Sequence, residues 1–129
     1  MPRVLVVDDF ADTREMLTTV FESAGYEVIA AGDGMEGLQK ARDHQPAVII
    51  MDLYMPRMDG VEATRRIKAT AELSAVPVIA YTARPGPVDD HLFAAMCEKP
   101  CPPDVLLEMV ADAAAGRSIK NPRRQRYGR

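Results

Sequence analysis

Val48-Ile49-Ile50-Met51-Asp52-Leu53-Tyr54-Met55-Pro56 is the stretch that decides the fold. Four apolar residues run straight into one carboxylate, and a proline follows four residues later. A short apolar run bounded by turn signals suits a strand covered on both faces, as in a parallel sheet. Such a strand ends at Asp52 and leaves its carboxylate at the carboxyl edge of the sheet. Open α/β folds bind their ligands at that edge.

Working outward, Val4-Leu5-Val6-Val7-Asp8-Asp9 repeats the pattern and reads as the first strand. Glu27-Val28-Ile29-Ala30-Ala31 is a short second strand, and residues 76–82 form a fourth that ends at Thr82. Met96-Cys97-Glu98 is a weak fifth strand running into Lys99-Pro100. Between the strands, apolar residues recur at helical spacing: Met16, Leu17, Val20, Phe21 and Ala24, then Leu38 and Ala41, then 61–68. Asp12 with Glu15, Asp33 with Glu36, and Asp59 with Glu62 have the spacing of capping boxes, which satisfy free amides at helix starts. Gly25 predicts the first helix's end. Residues 88–95 have room for about two helical turns. Leu106, Met109, Val110 and Ala113 mark a last helix, opened by Pro102 and Pro103 and stopped at Gly116. Strand and helix alternate with short links, which predicts one parallel sheet with helices on both faces.

The chain has 129 residues, enough for one domain with a real core. Hydrophobic residues make up 47% of it, so the body is globular rather than disordered. The formal net charge is −3, unevenly spread. Arg117, Lys120, Arg123, Arg124, Arg126 and Arg129 carry no acid among them, leaving ten basic against nineteen acidic residues in the body. We therefore expect an acidic domain over residues 1–116 and a basic, disordered tail over 117–129. No apolar run is long enough for a membrane span, and the first residues lack a signal-peptide layout. Cys97 and Cys101 make no disulfide framework, so a reducing cytoplasm is the expected setting.

Four strand ends carry the chemistry: Asp8 and Asp9, Asp52, Thr82, and Lys99. A parallel sheet gathers all of them on one edge. Three carboxylates repel each other unless a cation sits among them, and Lys99 alone leaves excess negative charge. A hard divalent cation answers this, and Mg²⁺ favours one or two carboxylates, waters and a phosphate oxygen. A carboxylate beside Mg²⁺ can attack a phosphoryl group and hold it as an acyl phosphate. Positioning and charge neutralisation are most of what phosphoryl transfer needs.

These residues, with Asp52-Leu53-Tyr54-Met55-Pro56-Arg57-Met58-Asp59-Gly60, Tyr81-Thr82-Ala83 and Lys99-Pro100, resemble the receiver domain of bacterial two-component response regulators of the chemotaxis type. The resemblance covers about residues 3–115. It implies a flavodoxin-like doubly wound sheet of five parallel strands in the order 2-1-3-4-5. It also implies that Asp52 is the phosphoacceptor, that Asp9 ligates Mg²⁺ directly and Asp8 largely through water, and that the Tyr54 backbone carbonyl joins Asp52 as a further ligand. Thr82 would be the switch hydroxyl and Lys99 the charge partner of the phosphoryl group. The implied donor is a sensor histidine kinase or histidine phosphotransfer protein, and the output passes to a downstream protein. Read as a stand-alone receiver, the chain is a phosphorylation switch that assists its own phosphorylation and dephosphorylation rather than an enzyme with a separate substrate.

Two positions depart from the family pattern. Met96 stands where receivers usually carry an aromatic residue, and it cannot make a tyrosine's hydrogen bond. The interval from Thr82 to Lys99 is about five residues shorter than usual, so we expect the fourth helix, between strands four and five, to be shortened, displaced or partly unwound. Tyr54 and Arg84 flank the phosphorylation site, and a bulky Tyr54 points to slow hydrolysis. Cys97 and Cys101 straddle Lys99. They read as one core thiol and one loop thiol, with a redox-gated site as the sharper alternative. The basic tail offers weak, salt-sensitive contacts at most, and no nucleic-acid fold accompanies it. Two other functions fit the residues less well. One is a phosphorylation-independent interaction module of receiver fold. The other is a Mg²⁺-dependent aspartyl phosphohydrolase, which typically has a second acid where Tyr54 stands.

Overall fold

Strand β1 (Arg3–Val7), β3 (Val48–Met51) and β4 (Val78–Thr82) are buried along nearly their whole length. That is why they read as continuous apolar runs rather than alternating ones. The computed structural model describes residues 1–83 and 91–120 in full and the backbone of 123–124. With β2 (Glu27–Ala31), β5 (Ala95–Glu98) and β6 (Arg123–Arg124) they form one sheet in the order β2-β1-β3-β4-β5-β6. Every pairing is parallel. The expected five-strand order 2-1-3-4-5 is present, and β6 adds a short strand on the β5 edge.

The period-two alternation of each strand sorts its side chains between two helical layers. Val4, Val6, Val48, Ile50, Ile79 and Tyr81 face α1 (Ala11–Ser23) and α4 (Pro103–Ala114), meeting Leu17, Phe21, Leu106 and Met109. Leu5, Val7, Ile49, Met51 and Val78 face α2 (Gly34–His44) and α3 (Gly60–Ala69), meeting Leu38, Ala41, Ala63 and Ile67. A fully buried side chain such as Phe21 contributes about 2–3 kcal/mol of burial free energy.

Of the three helix starts with capping-box spacing, two form with the expected aspartate cap. Asp33 Oδ1 accepts from Glu36 N at 2.9 Å, and Asp59 Oδ1 accepts from Glu62 N at 2.9 Å. The Asp12–Glu15 capping box is corrected: α1 begins at Ala11 after Phe10, which makes no side-chain cap. Asp8 sets this earlier start by accepting from Phe10 N at 2.9 Å, and Asp12 becomes a first-turn acid facing the helix dipole. Gly25 does end α1, in the left-handed region at φ 95°.

Between β4 and β5 no helix is present among the described residues, and the segment expected to hold a shortened or unwound fourth helix lies largely in residues 84–90, outside the described residues. The helical turns expected at 88–95 are corrected where they are described: His91 and Leu92 form a turn, Ala94 a bend, and Ala95 already opens β5; Val88 to Asp90 lie outside the described residues, as does Arg84. The tail expectation is corrected where it is described. Buried Asp112 accepts from Arg117 Nε at 3.2 Å and from Lys120 N at 3.3 Å, and Ile119 packs on the α1/α4 layer. An acid turned into the apolar stripe of α4 gives these residues a partner that charge counting did not register. Residues 121–122 and 125–129 lie outside the described residues.

Candidate phosphoacceptor site

Register brings the carboxylates together. Val7 pairs with Met51, so the next residues, Asp8 and Asp52, emerge side by side at the carboxyl edge. Asp52 N donates to Val7 O at 2.9 Å, extending the ladder by one bond. One oxygen each of Asp8, Asp9 and Asp52 lies within 4.8 Å of the others. Asp8 and Asp52 are buried, and Asp9 is exposed.

The loop after β3 is packed tightly beneath this cluster. Gly60 N donates to Leu53 O at 3.0 Å. A Cβ on Gly60 would stand 2.8 Å from the Asp52 carbonyl carbon and 2.8 Å from Leu53 Cα, and would overlap the Asp52 carbonyl oxygen outright. Only glycine permits that approach. Tyr54 N donates to Asp52 Oδ1 at 3.3 Å, while the Tyr54 side chain is exposed. Arg57 in the same loop adopts φ 68° and pairs with Asp33, tying the loop to the start of α2.

Lys99 enters from the end of β5. Its ammonium donates to Asp8 Oδ2 at 2.8 Å, lies 3.8 Å from Asp52 Oδ2, and stands 4.9 Å from the Tyr81 ring centre. Its backbone N–H donates to Thr82 O at 2.7 Å. Thr82 is fully buried at the end of β4, opposite Glu98 in the register. All the predicted strand-end residues therefore share one edge, with Lys99 bridging two of the carboxylates.

Burial pushes the Asp52 carboxyl up to about 6; Lys99 pulls it down, Asp8 pushes it up, the Tyr54 amide pulls it down and Asp9 pushes it up. Burial alone would lower the Lys99 ammonium. Its hydrogen bond and charge pairing with Asp8, with smaller contributions from Asp52 and Tyr81, outweigh burial and raise it. The site is acidic and short of cationic charge.

Several supporting residues escaped sequence reading. Tyr81, which the sequence places in the fourth strand and in the Tyr81-Thr82-Ala83 motif without a role of its own, lies with its ring against the Lys99 ammonium. Arg14 Nη1 donates to Asp8 O at 2.7 Å and fixes the β1 end from α1. Its signal was a lone cation one turn into that helix. Met96, at the position usually aromatic, is buried with Leu53 and Ala80, and Phe93 and Val61 pack beside them.

A doubly wound parallel sheet with three carboxylates and a lysine at its carboxyl edge places the chain among open α/β domains that carry their site at that edge. The chain belongs to the response regulator receiver domain family, whose model matches residues 4–111. It is 40% identical over 84 residues to protein PilH of Pseudomonas aeruginosa, covering 65% of this chain and 69% of PilH. It is 39% identical over 84 residues to the polar-differentiation response regulator DivK of Brucella anthropi, covering 64% and 68%. The structure of chemotaxis protein CheY4 of Vibrio cholerae superposes with a TM-score of 0.81 at 31% identity, covering 88% of this chain and 98% of that one. Family membership makes the domain a phosphoacceptor switch in two-component signalling. Among the described residues, no helix is long and apolar enough to cross a membrane.

Proposed function

We propose that this domain takes a phosphoryl group onto Asp52 from a phosphohistidine and passes the signal on through altered protein contacts. The observation that carries the reading is the meeting of Asp8, Asp9 and Asp52 within 4.8 Å, with Lys99 on two of them. The donor is a sensor histidine kinase or histidine phosphotransfer protein, the receiver of the signal is a further protein, and the compartment is the cytoplasm.

The donor set fits Mg²⁺: hard carboxylate oxygens, one of the three acids exposed to admit waters, and too little positive charge nearby. Asp9 and Asp52 would hold it directly, Asp8 largely through water, with the Tyr54 backbone carbonyl as a further ligand. When bound, Mg²⁺ neutralises charge that gathers on the phosphoryl oxygens. An ionised Asp52 oxygen forms a bond to phosphorus as the donor's P–N bond breaks. The imidazole leaves with the bonding pair and takes a proton from solvent. Lys99 moves its ammonium from the carboxylates towards the phosphoryl oxygens, and Thr82 gives its hydroxyl to one of them. Water later attacks phosphorus and releases inorganic phosphate, regenerating the Asp52 carboxylate. The domain thus assists both its phosphorylation and its dephosphorylation.

Incubation with acetyl phosphate and Mg²⁺ tests the reading. A phosphoryl adduct mapped to Asp52 by mass spectrometry, lost with chelator and in Asp52→Asn, is the expected result. Absence of an adduct would leave the phosphorylation-independent module as the better account. Steady turnover of phosphate esters would instead favour the hydrolase.

A further inference from the structure

Cys97 and Cys101 are joined in a disulfide, and the residue between them that matters is Lys99. The expectation of separate core and loop thiols is thereby corrected. Their Cα atoms lie 5.8 Å apart, an ordinary bridging distance. Cys97 is fully buried in β5 opposite Tyr81, the residue whose ring faces the Lys99 ammonium. Cys101 directly precedes Pro102, the cap of α4, and retains 7% exposure. The bridge therefore ties the end of β5 to the start of α4 and closes a loop around Glu98, Lys99 and Pro100.

Lys99 is consequently held from both sides. On the strand side its N–H is bonded to Thr82 O at 2.7 Å, and on the helix side the bridge fixes the chain two residues on. We propose that Cys97 and Cys101 form a reversible thiol–disulfide site that sets how firmly Lys99 is presented to the phosphoryl group. This rests on the reading of Asp52 as phosphoacceptor. Closing the loop removes backbone freedom from the segment that carries the ammonium, so the oxidised domain is the better organised for a bound phosphoryl group. In a reducing compartment disulfides are typically transient and regulatory rather than structural.

The chemistry balances with hydrogen peroxide as oxidant. The sulfur of Cys101, the more exposed of the pair, attacks one peroxide oxygen. The O–O bond breaks, water leaves, and Cys101 becomes a sulfenic acid. The Cys97 sulfur then attacks the Cys101 sulfur and displaces the hydroxyl as a second water. Both thiols lose a hydrogen, and the peroxide is reduced to water. A low-molecular-weight thiol such as glutathione reverses the step through a mixed disulfide, itself ending as the oxidised dimer.

The full chain, prepared with peroxide or with excess glutathione, tests this. Alkylation and mass spectrometry count free thiols in each preparation, and calorimetry measures beryllofluoride binding with Mg²⁺. We expect the oxidised chain to bind beryllofluoride about fivefold tighter or more, within the usual range of coupling between sites. Mg²⁺ with beryllofluoride should shift the glutathione equilibrium towards the disulfide by the same factor, because coupling is reciprocal. Lys99→Ala should still form the bridge yet lose the redox dependence of binding, an effect that a merely structural bridge would not produce. Cys101→Ser should bind with one affinity in both buffers; should it not fold, the wild-type pair and Lys99→Ala decide the matter. A bridge that never forms with peroxide, or that forms and leaves affinity unchanged, overturns the proposal. Failure of beryllofluoride to bind either form, with no acetyl phosphate adduct, removes the phosphoacceptor reading and the coupling with it. The thiol counts then still report separately whether the bridge is reversible.

Discussion

Lys99 Nζ lies 2.8 Å from Asp8 Oδ2 but 3.8 Å from Asp52 Oδ2, so without a phosphoryl group the ammonium is committed chiefly to Asp8. Asp8 is almost wholly buried, and its other oxygen is taken by Phe10 N. The lysine therefore supports the folded site as well as serving any phosphoryl group that arrives there. It also stands where a divalent cation would draw on the same carboxylate.

Lys99→Ala separates these roles. Asp8 Oδ2 loses its donor in a buried position, which should lower stability by about 1–3 kcal/mol in metal-free buffer. Mg²⁺ should bind more tightly than in wild type, because a competing cation has left a three-carboxylate cluster. Phosphoryl uptake from acetyl phosphate should nonetheless fall at least tenfold, since the charge partner is gone. Denaturant unfolding, a Mg²⁺ titration and adduct mass spectrometry measure the three. Weaker Mg²⁺ binding in the variant would contradict the competition.

Asp52 gives the domain a pH dependence of definite sign. Its carboxyl is raised from 3.8 to about 6 in the folded chain, chiefly by burial. Between those values the folded chain binds more protons than the unfolded one, so metal-free stability falls as pH rises through that window. Above it, the ionised carboxylate costs on the order of 3 kcal/mol. Asp52→Asn should accordingly stabilise the metal-free domain by about 1–3 kcal/mol at pH 8 and change little at pH 4. Mg²⁺ should reverse the order by stabilising the wild type alone. A variant less stable than wild type at pH 8 without metal would refute the burial account.

How much of this was legible in the sequence differs by residue. The runs ending at Asp8 and Asp52 announced two buried parallel strands, and adjacency of β1 and β3 was enough to bring their carboxylates together. Lys99 was readable because it follows a strand, although that strand is only four residues long. The start of α1 misled because Asp-x-x-Glu occurs equally well inside a first turn, and Asp8 had already fixed the chain one turn earlier. The 97–101 spacing alone did not decide between two thiols and a bridge, since the turn after β5 sets the distance. Tyr81 stood in the Tyr81-Thr82-Ala83 motif with no role assigned to it; only the path of Lys99 across the β4 edge reveals its ring's contact with the ammonium. Asp112 was visible as an acid three residues after Met109, on the buried face of α4, but its partners come from beyond Gly116.

Gly60 is a backbone requirement in the midst of side-chain chemistry. In Gly60→Ala the new methyl would press on the carbonyl of Asp52 and on Leu53 Cα, neither of which is a flexible side-chain end. The β3–α3 loop must move, and overpacking of this kind costs about 1–3 kcal/mol. Since the displaced residue is Asp52 itself, Mg²⁺ affinity should fall along with stability. Stabilising the variant with an osmolyte should restore folding but not affinity, and a Mg²⁺ titration at wild-type strength would show that the loop absorbs the methyl without moving the carboxylate.

Tyr54 makes two separable contributions. Its backbone N–H holds Asp52 Oδ1, and its backbone carbonyl is the proposed metal ligand; neither depends on the side chain. The ring itself stands exposed two residues from the carboxylate that would carry the phosphoryl group. A bulky ring there restricts the approach of the hydrolytic water, so Tyr54→Ala should shorten the phosphoryl lifetime several-fold. Mg²⁺ affinity and fold stability should stay near wild type, because an exposed side chain is removed and the backbone bonds remain. Following the decay of the Asp52 adduct after removal of acetyl phosphate measures the lifetime directly. An unchanged decay would mean that water reaches phosphorus by a path the ring does not cover. A large loss of Mg²⁺ affinity would instead show that the ring helps to set the loop backbone.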